Sequence, residues 1–277
     1  MKLSTATSVF VNYLLEDAVN EGIRLGLQGL DLWCGRPHLY RRDYPQQTLL
    51  RIKAKMDENG MRVVSLMPAF YRYPHSLSNP LETVRADSVS YMRDCIDNAR
   101  MMGADHVLVV PSPLLNRQTE ADARRLFLNS MESVLDYAQQ RGVRLGIEVL
   151  NPRLSGYLCR VKQAAELIAE LAYPSLLGIV LDTGHLNLSG EGFAYALDTA
   201  GDSLYQIHIN DNNAKEQTNS IPGEGSFAFS DMLRELDARR YDGFLSFELG
   251  GQYANAPADA LRTGIRYMLE LAGSIQP

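Results

Sequence analysis

Stretches of strand character and stretches of helical character alternate from one end of the 277-residue chain to the other. No Pro/Gly/Ser-rich linker, charge block or low-complexity segment divides them. Apolar runs bounded by turn residues predict strands at Leu3–Phe10, Gly29–Cys34, Met61–Met67, His106–Val110, Val143–Glu148, Leu177–Asp182, Leu204–His208 and Gly243–Glu248. Amphipathic stretches between them predict helices at Leu14–Gly22, Thr48–Asn59, Leu81–Met102, Thr119–Arg141, Arg160–Leu171, Phe193–Thr199, Phe229–Arg240 and Pro257–Ala272. Gly60, Gly103 and Gly142 stand where three of these helices stop. Such alternation implies a parallel sheet with right-handed crossovers. Eight repeats in this length fit a closed (β/α)₈ TIM barrel, a single α/β domain spanning residues 1–277. An open doubly wound sheet is the competing arrangement.

Composition narrows the function. Twenty-seven Lys and Arg against 33 Asp and Glu give a net charge of −6, the wrong sign for a surface that grips nucleic acid. No apolar run is long enough to span a bilayer, and the N-terminus enters a strand without a signal-like stretch. Cys34, Cys95 and Cys159 are far apart and form no CxxC pair, which argues against a disulfide scaffold or a thiolate zinc site. A cytoplasmic protein is expected, with no membrane partner; assembly into a homo-oligomer is left open.

A buried parallel strand should read as a continuous apolar run, so a charge at its end needs a reason. The last four strands all finish this way, on Glu148, Asp182, His208 and Glu248, spaced 34, 26 and 40 residues apart. A lone acid at such a position commonly caps the next helix. Four in register point instead to one shared site, since barrel active sites lie at the C-terminal ends of the strands. Three carboxylates and one imidazole form an oxygen-rich set suited to one divalent ion, Mn²⁺ first, with Co²⁺, Mg²⁺ or Zn²⁺ as alternatives. Side chains two apart share a strand face, so Gly146, Gln206 and Ser246 should point inward beneath Glu148, His208 and Glu248, leaving room for a wet site.

Two glutamates reaching one ion from separate strands suit proton transfer at a carbon beside a carbonyl. The ion would polarise the ketone, one Glu would remove the proton and the other would return it from the opposite face. His185, three residues after Asp182, is a candidate hydrogen-bond partner for the substrate.

At these residues the chain resembles the xylose-isomerase-like barrels that include ketose 3-epimerases of the tagatose/psicose type. The resemblance is carried by Gly-Ile-Glu148-Val-Leu-Asn151, Leu-Asp182-Thr-Gly-His185, His208-Ile-Asn-Asp211-Asn, Ile-Pro222-Gly-Glu-Gly225 and Phe-Glu248. It implies that Glu148, Asp182, His208 and Glu248 bind one divalent ion, that both glutamates carry protons, and that His185 touches a sugar substrate. Leu-Trp33-Cys-Gly-Arg36-Pro-His38 and Tyr73-Pro are similar to fructoselysine 3-epimerase-like members. Two positions depart from the tagatose-type pattern. Ala214 stands where those enzymes have an arginine, with Lys215 the nearest cation, and Leu154 beside Arg153 replaces an acid.

Around the site, Trp33 is read as a pocket wall or barrel filler, and Arg36, Lys215 and Glu224 as rim contacts or solvated loop charges. Tyr71, Tyr73 and His75 in the third loop carry the same alternatives. Pro222-Gly-Glu-Gly225 is an anion-binding or merely tight loop, and His106, at the start of its strand, is read as structural. The expected activity is C3 epimerisation of a ketose or ketose derivative, or the related sugar isomerisation. A dehydroshikimate-type dehydratase and a non-catalytic sugar-binding barrel are the alternatives. An abasic-site nuclease is disfavoured, because the chain has only five histidines and lacks the extra ligands of a trinuclear zinc cluster.

Overall fold

The computed structural model describes residues 1–70 and 74–275. Eight parallel strands close into a barrel in sequence order: β1 Lys2–Ala6, β2 Gly29–Trp33, β3 Arg62–Met67, β4 His106–Val109, β5 Arg144–Glu148, β6 Leu177–Asp182, β7 Leu204–Ile209 and β8 Phe244–Phe247. The ring shuts where β1 pairs with β8, Ser4 lying opposite Ser246. The closed barrel, not the open sheet, is therefore the fold. Helices α1 Leu15–Arg24, α2 Gln46–Glu58, α3 Glu82–Met102, α4 Glu120–Arg141, α5 Val161–Leu171, α6 Thr183–Ser189, α7 Phe193–Ala200, α8 Phe229–Ala238 and α9 Pro257–Ile275 follow the strands. Among the described residues, no helix is long and apolar enough to cross a membrane.

Pleating divides each strand between two cores. Outward residues such as Leu30, Leu32, Val107, Leu145, Ile147, Ile179, Leu181, Ile207 and Phe247 are buried beneath the helices. Each such side chain contributes roughly 1.5–3 kcal/mol on leaving water. The alternate residues fill the barrel, where a buried polar layer of Ser4, Asp31, Ser65, His106, Gln206 and Ser246 lies. Gly146 belongs to this layer, but it does not leave a wet space. A Cβ there would come within 2.7 Å of His106 Cδ2, so the missing side chain makes room for a ring.

Three local outcomes differ from expectation. The first strand ends at Ala6, and Thr7–Phe10 forms a 3₁₀ turn. His38 holds that turn: its Nδ1 lies 3.1 Å from Thr7 Oγ1 and its Nε2 3.1 Å from the carbonyl oxygens of Phe10 and Tyr13. Helix α6 was not expected, because it starts on the residue after β6 with no intervening turn. Glu248 lies one residue beyond β8 rather than within it.

The buried His75 ring stacks on Tyr91 with centroids 4.0 Å apart. Burial pushes its pKa down to about 4, Asp87 opposing and Arg41 adding to the effect. The unfolded chain protonates this ring near pH 6.5. The fold therefore favours the neutral form, and the resulting stability is complete above about pH 6.5 and lost as pH falls toward 4. Urea unfolding at pH 7 and pH 5 should show a steeper loss for the wild type than for His75→Asn. Equal losses would contradict the account.

Candidate metal centre

Glu148 ends β5, Asp182 ends β6, His208 is the penultimate residue of β7, and Glu248 follows β8. Register sets the levels, since Asp182 pairs with His208, and Ser246, two residues before Glu248, also pairs with His208. Each of the four offers one ligand atom, and these atoms all lie within 4.8 Å of one another. Glu148 Oε1 is 3.1 Å and Glu248 Oε2 is 2.8 Å from His208 Nδ1.

Glu148, Asp182 and His208 are almost shut off from water, and Glu248 is partly open to it. His208 is fully buried, and the Glu148 and Glu248 side chains are 5% and 24% exposed. Burial opposes the charged imidazolium, yet bonds to Glu148 and Glu248 outweigh it and hold the His208 pKa well above its ordinary value. The same partnership lowers the Glu248 pKa against the effect of burial. Burial, reinforced by Glu248 and Glu148, pushes Asp182 up to about 6 despite His185 and His208.

Asp182 does two jobs. Its Oδ1 caps α6 by accepting from the His185 backbone N–H at 2.7 Å, and its Oδ2 accepts from Asn210 Nδ2 at 2.6 Å. Helix cap and candidate ligand are thus one residue, the carboxylate having about four lone-pair sites to share. Gly184 keeps this turn tight, because a Cβ there would sit 2.0 Å from Asn210 Oδ1.

Above the four residues opens a cavity of about 430 Å³. One wall is apolar, formed by Trp33, Met67, Phe70, Leu108, Val110 and Leu154. The opposite side carries Glu148, His185, Gln217, Asn219 and Glu248. His185 is held by Asn151, whose Nδ2 is 3.0 Å from His185 Nδ1. An amide N–H₂ only donates, so this bond makes Nδ1 the acceptor and leaves the proton on Nε2.

The other residues singled out in the sequence lie elsewhere. Arg36 is exposed, paired with Asp43 at 2.6 Å and laid over the Tyr40 ring. Lys215 sits on an exposed loop next to Ala214, its carbonyl accepting from Arg153. Glu224 accepts from Tyr253 Oη at 2.7 Å on the exterior. None of the three lines the cavity. The Pro222-Gly-Glu-Gly225 loop turns its N–H groups to a side chain: Gly223 and Gly225 donate to Asp211 Oδ2 at 3.0 and 2.9 Å. Tyr71 and Tyr73 lie outside the described residues. Asn210, Gln217, Asn219 and Asp31 were not anticipated. Only Asp31 carried a signal, as an acid in the middle of an apolar strand.

The sequence profile described as "Xylose isomerase-like TIM barrel" matches residues 20–271, and the chain belongs to that family. It is 27% identical over 252 residues to a fructoselysine 3-epimerase of Shigella flexneri, covering 88% of each chain. It is 32% identical over 130 residues to a D-psicose 3-epimerase of Enterocloster bolteae, covering 47% of this chain and 40% of that one. Among solved structures, a D-psicose 3-epimerase in the presence of D-fructose superposes with a TM-score of 0.81 at 17% identity, covering 99% of this chain and 100% of the other. An IOLI protein with a binding zinc atom superposes with a TM-score of 0.82 at 18% identity, covering 100% of this chain and 99% of the other.

The donor set fits a divalent cation. Two like charges about 4 Å apart repel by roughly 4 kcal/mol at an effective dielectric of about 20, and three carboxylates multiply that cost. One divalent ion among them would offset it and displace the proton that His208 holds. Mn²⁺ should therefore bind the chelator-treated protein at one ion per chain and raise its melting temperature, about 2.7 kcal/mol of stabilisation accompanying a hundredfold excess over Kd. His208→Ala should abolish the shift; an unchanged shift would exclude this site.

Proposed function

We propose that the protein is a divalent-metal-dependent sugar epimerase that inverts C3 of a ketose or ketose derivative. The observation that carries this reading is the meeting of Glu148 and Glu248, from opposite ends of the β5–β8 arc, on either side of His208 Nδ1 at the cavity floor. The names of the relatives above agree with it. The oxygen-rich donors favour Mn²⁺, and the three free cysteines accord with a cytoplasmic setting.

Glu148, Asp182, His208 and Glu248 would hold the ion, which supplies Lewis-acid polarisation of the substrate carbonyl when bound. One glutamate takes the C3 proton to give an enediolate, and the other returns a proton to the opposite face. The first starts as a carboxylate and ends protonated, the second starts protonated and ends as a carboxylate, and the 24% exposure of the Glu248 side chain gives solvent a route to reset the protons between turnovers. His185, with its Nε2–H directed by Asn151, is assigned to a substrate oxygen. Trp33 and the rest of the apolar wall are assigned to the distal part of the substrate. Arg36, Lys215 and Glu224 have no part in these contacts.

With Mn²⁺ and a panel of ketoses and fructosamines in D₂O, the protein should introduce deuterium at C3 and yield the C3 epimer. Glu148→Gln and Glu248→Gln should each slow exchange by roughly 10²–10⁴-fold. Label at C2 with an aldose product would mean an isomerase, loss of water a dehydratase, and exchange at full rate in the metal-stripped protein would refute the proposal. His185→Gln should raise KM and lower kcat without reducing Mn²⁺ content.

A further inference from the structure

Beneath the four candidate ligands, Asp31 occupies the middle of β2 and is fully buried inside the barrel. Among the described residues no cation bonds it, and three neutral donors hold it. Ser65 Oγ donates to Oδ1 at 2.6 Å, Gln206 Nε2 donates to Oδ1 at 2.7 Å from across the barrel, and Ser246 Oγ donates to Oδ2. A buried carboxylate is costly, and neutral packing would serve a purely structural layer better. Two of its three donors sit on the strands of two candidate ligands: Gln206 is two residues before His208 on β7, and Ser246 is two before Glu248. Strand geometry gives each pair one inward face.

Gln206 is also oriented by this bond. A carboxylate accepts, so the amide nitrogen must face Asp31 and the carbonyl oxygen must face away from it. That oxygen is buried and has no hydrogen-bond partner among the described residues, and neither has His208 Nε2, also buried. Once Nδ1 of His208 faces an ion, the neutral ring carries its proton on Nε2 and needs an acceptor there. A second buried ring nitrogen without a partner, His106 Nε2, is the competing acceptor.

We propose that Asp31 and Gln206 are positioning residues for the metal centre: Asp31 orients Gln206 so that its carbonyl oxygen receives the His208 Nε2–H through one bridging water. This rests on the metal reading above and extends it to residues that touch neither ion nor substrate. The relay fixes the His208 tautomer and ring plane and raises the basicity of the ligating nitrogen. Ser65 and Ser246 complete it by holding the carboxylate that orients Gln206.

Metal-stripped protein should be titrated with Mn²⁺, free ion being read by its electron paramagnetic resonance signal, with melting of the metal-free form measured alongside. The wild type should bind one ion. The isosteric variants Gln206→Met and Asp31→Asn should weaken binding by roughly 10–100-fold, and His106→Leu should leave it within about threefold. Unchanged affinity in Gln206→Met, with only a lower melting temperature, would overturn the relay and leave the metal reading intact. A larger loss in His106→Leu than in Gln206→Met would transfer the role to His106 and overturn it too. A wild type that binds no ion removes both proposals. Should the variants not fold, ¹⁵N-histidine spectra of the Zn²⁺-loaded wild type decide. A slowly exchanging Nε2–H on His208 is expected, and Nε2 without a protected proton would refute the relay.

Discussion

Three carboxylates cannot share a few ångströms of dry space without a positive partner, and the upper half of this barrel is organised around that difficulty. Water is kept from Glu148 and Asp182 by the barrel wall, so screening is weak and repulsion is felt in full. The structure answers with an imidazole between Glu148 and Glu248 and with a donor on each carboxylate oxygen of Asp182. The protonated imidazole offsets only one of the three negative charges, and the other bonds orient the acids but do not neutralise them. A divalent cation would, and every nearby feature is consistent with its place: the cap on α6, the turn at Gly184, the amide of Asn210.

Strand ends were readable because the same constraint acts on sequence. An acid closing an apolar run is costly unless it has a purpose, and four such costs in consecutive repeats have one economical explanation. Alternation gave a parallel sheet and the count of eight repeats favoured the barrel, and the strand-end residues Glu148, Asp182, His208 and Glu248 do converge. Local signals were weaker where contacts come from afar. The turn at Thr7–Phe10 depends on His38, and Gln217 and Asn219 reach the cavity from a long loop without periodicity. Arg36 and Lys215 show the converse: a charge on the catalytic face of the sequence pattern can be engaged by Asp43 or solvent in space.

Asn and Gln side chains were the hardest to foresee. Asn151 and Asn210 each use an amide to fix the orientation of a neighbour, and nothing in residue type announces such a role. Asp211 is similar, since its oxygens accept from the backbone N–H groups of Gly223, Gly225 and Phe227. Its part is to knit the loop after β7 into a fixed shape. The glycines serve that closeness: a Cβ at Gly225 would lie 2.3 Å from the Asn212 carbonyl oxygen.

The cavity is built largely in two halves from separate stretches of chain, with Leu150 and Leu154 of the fifth repeat joining the apolar wall. Trp33, Met67, Phe70, Leu108 and Val110 come from the first four repeats, while the acids and imidazoles come from the last four. Mutational drift in the early repeats can therefore reshape what is accommodated while the reactive residues keep their neighbours. Such a division separates the residues that would set the shape of what is held from those that would react with it.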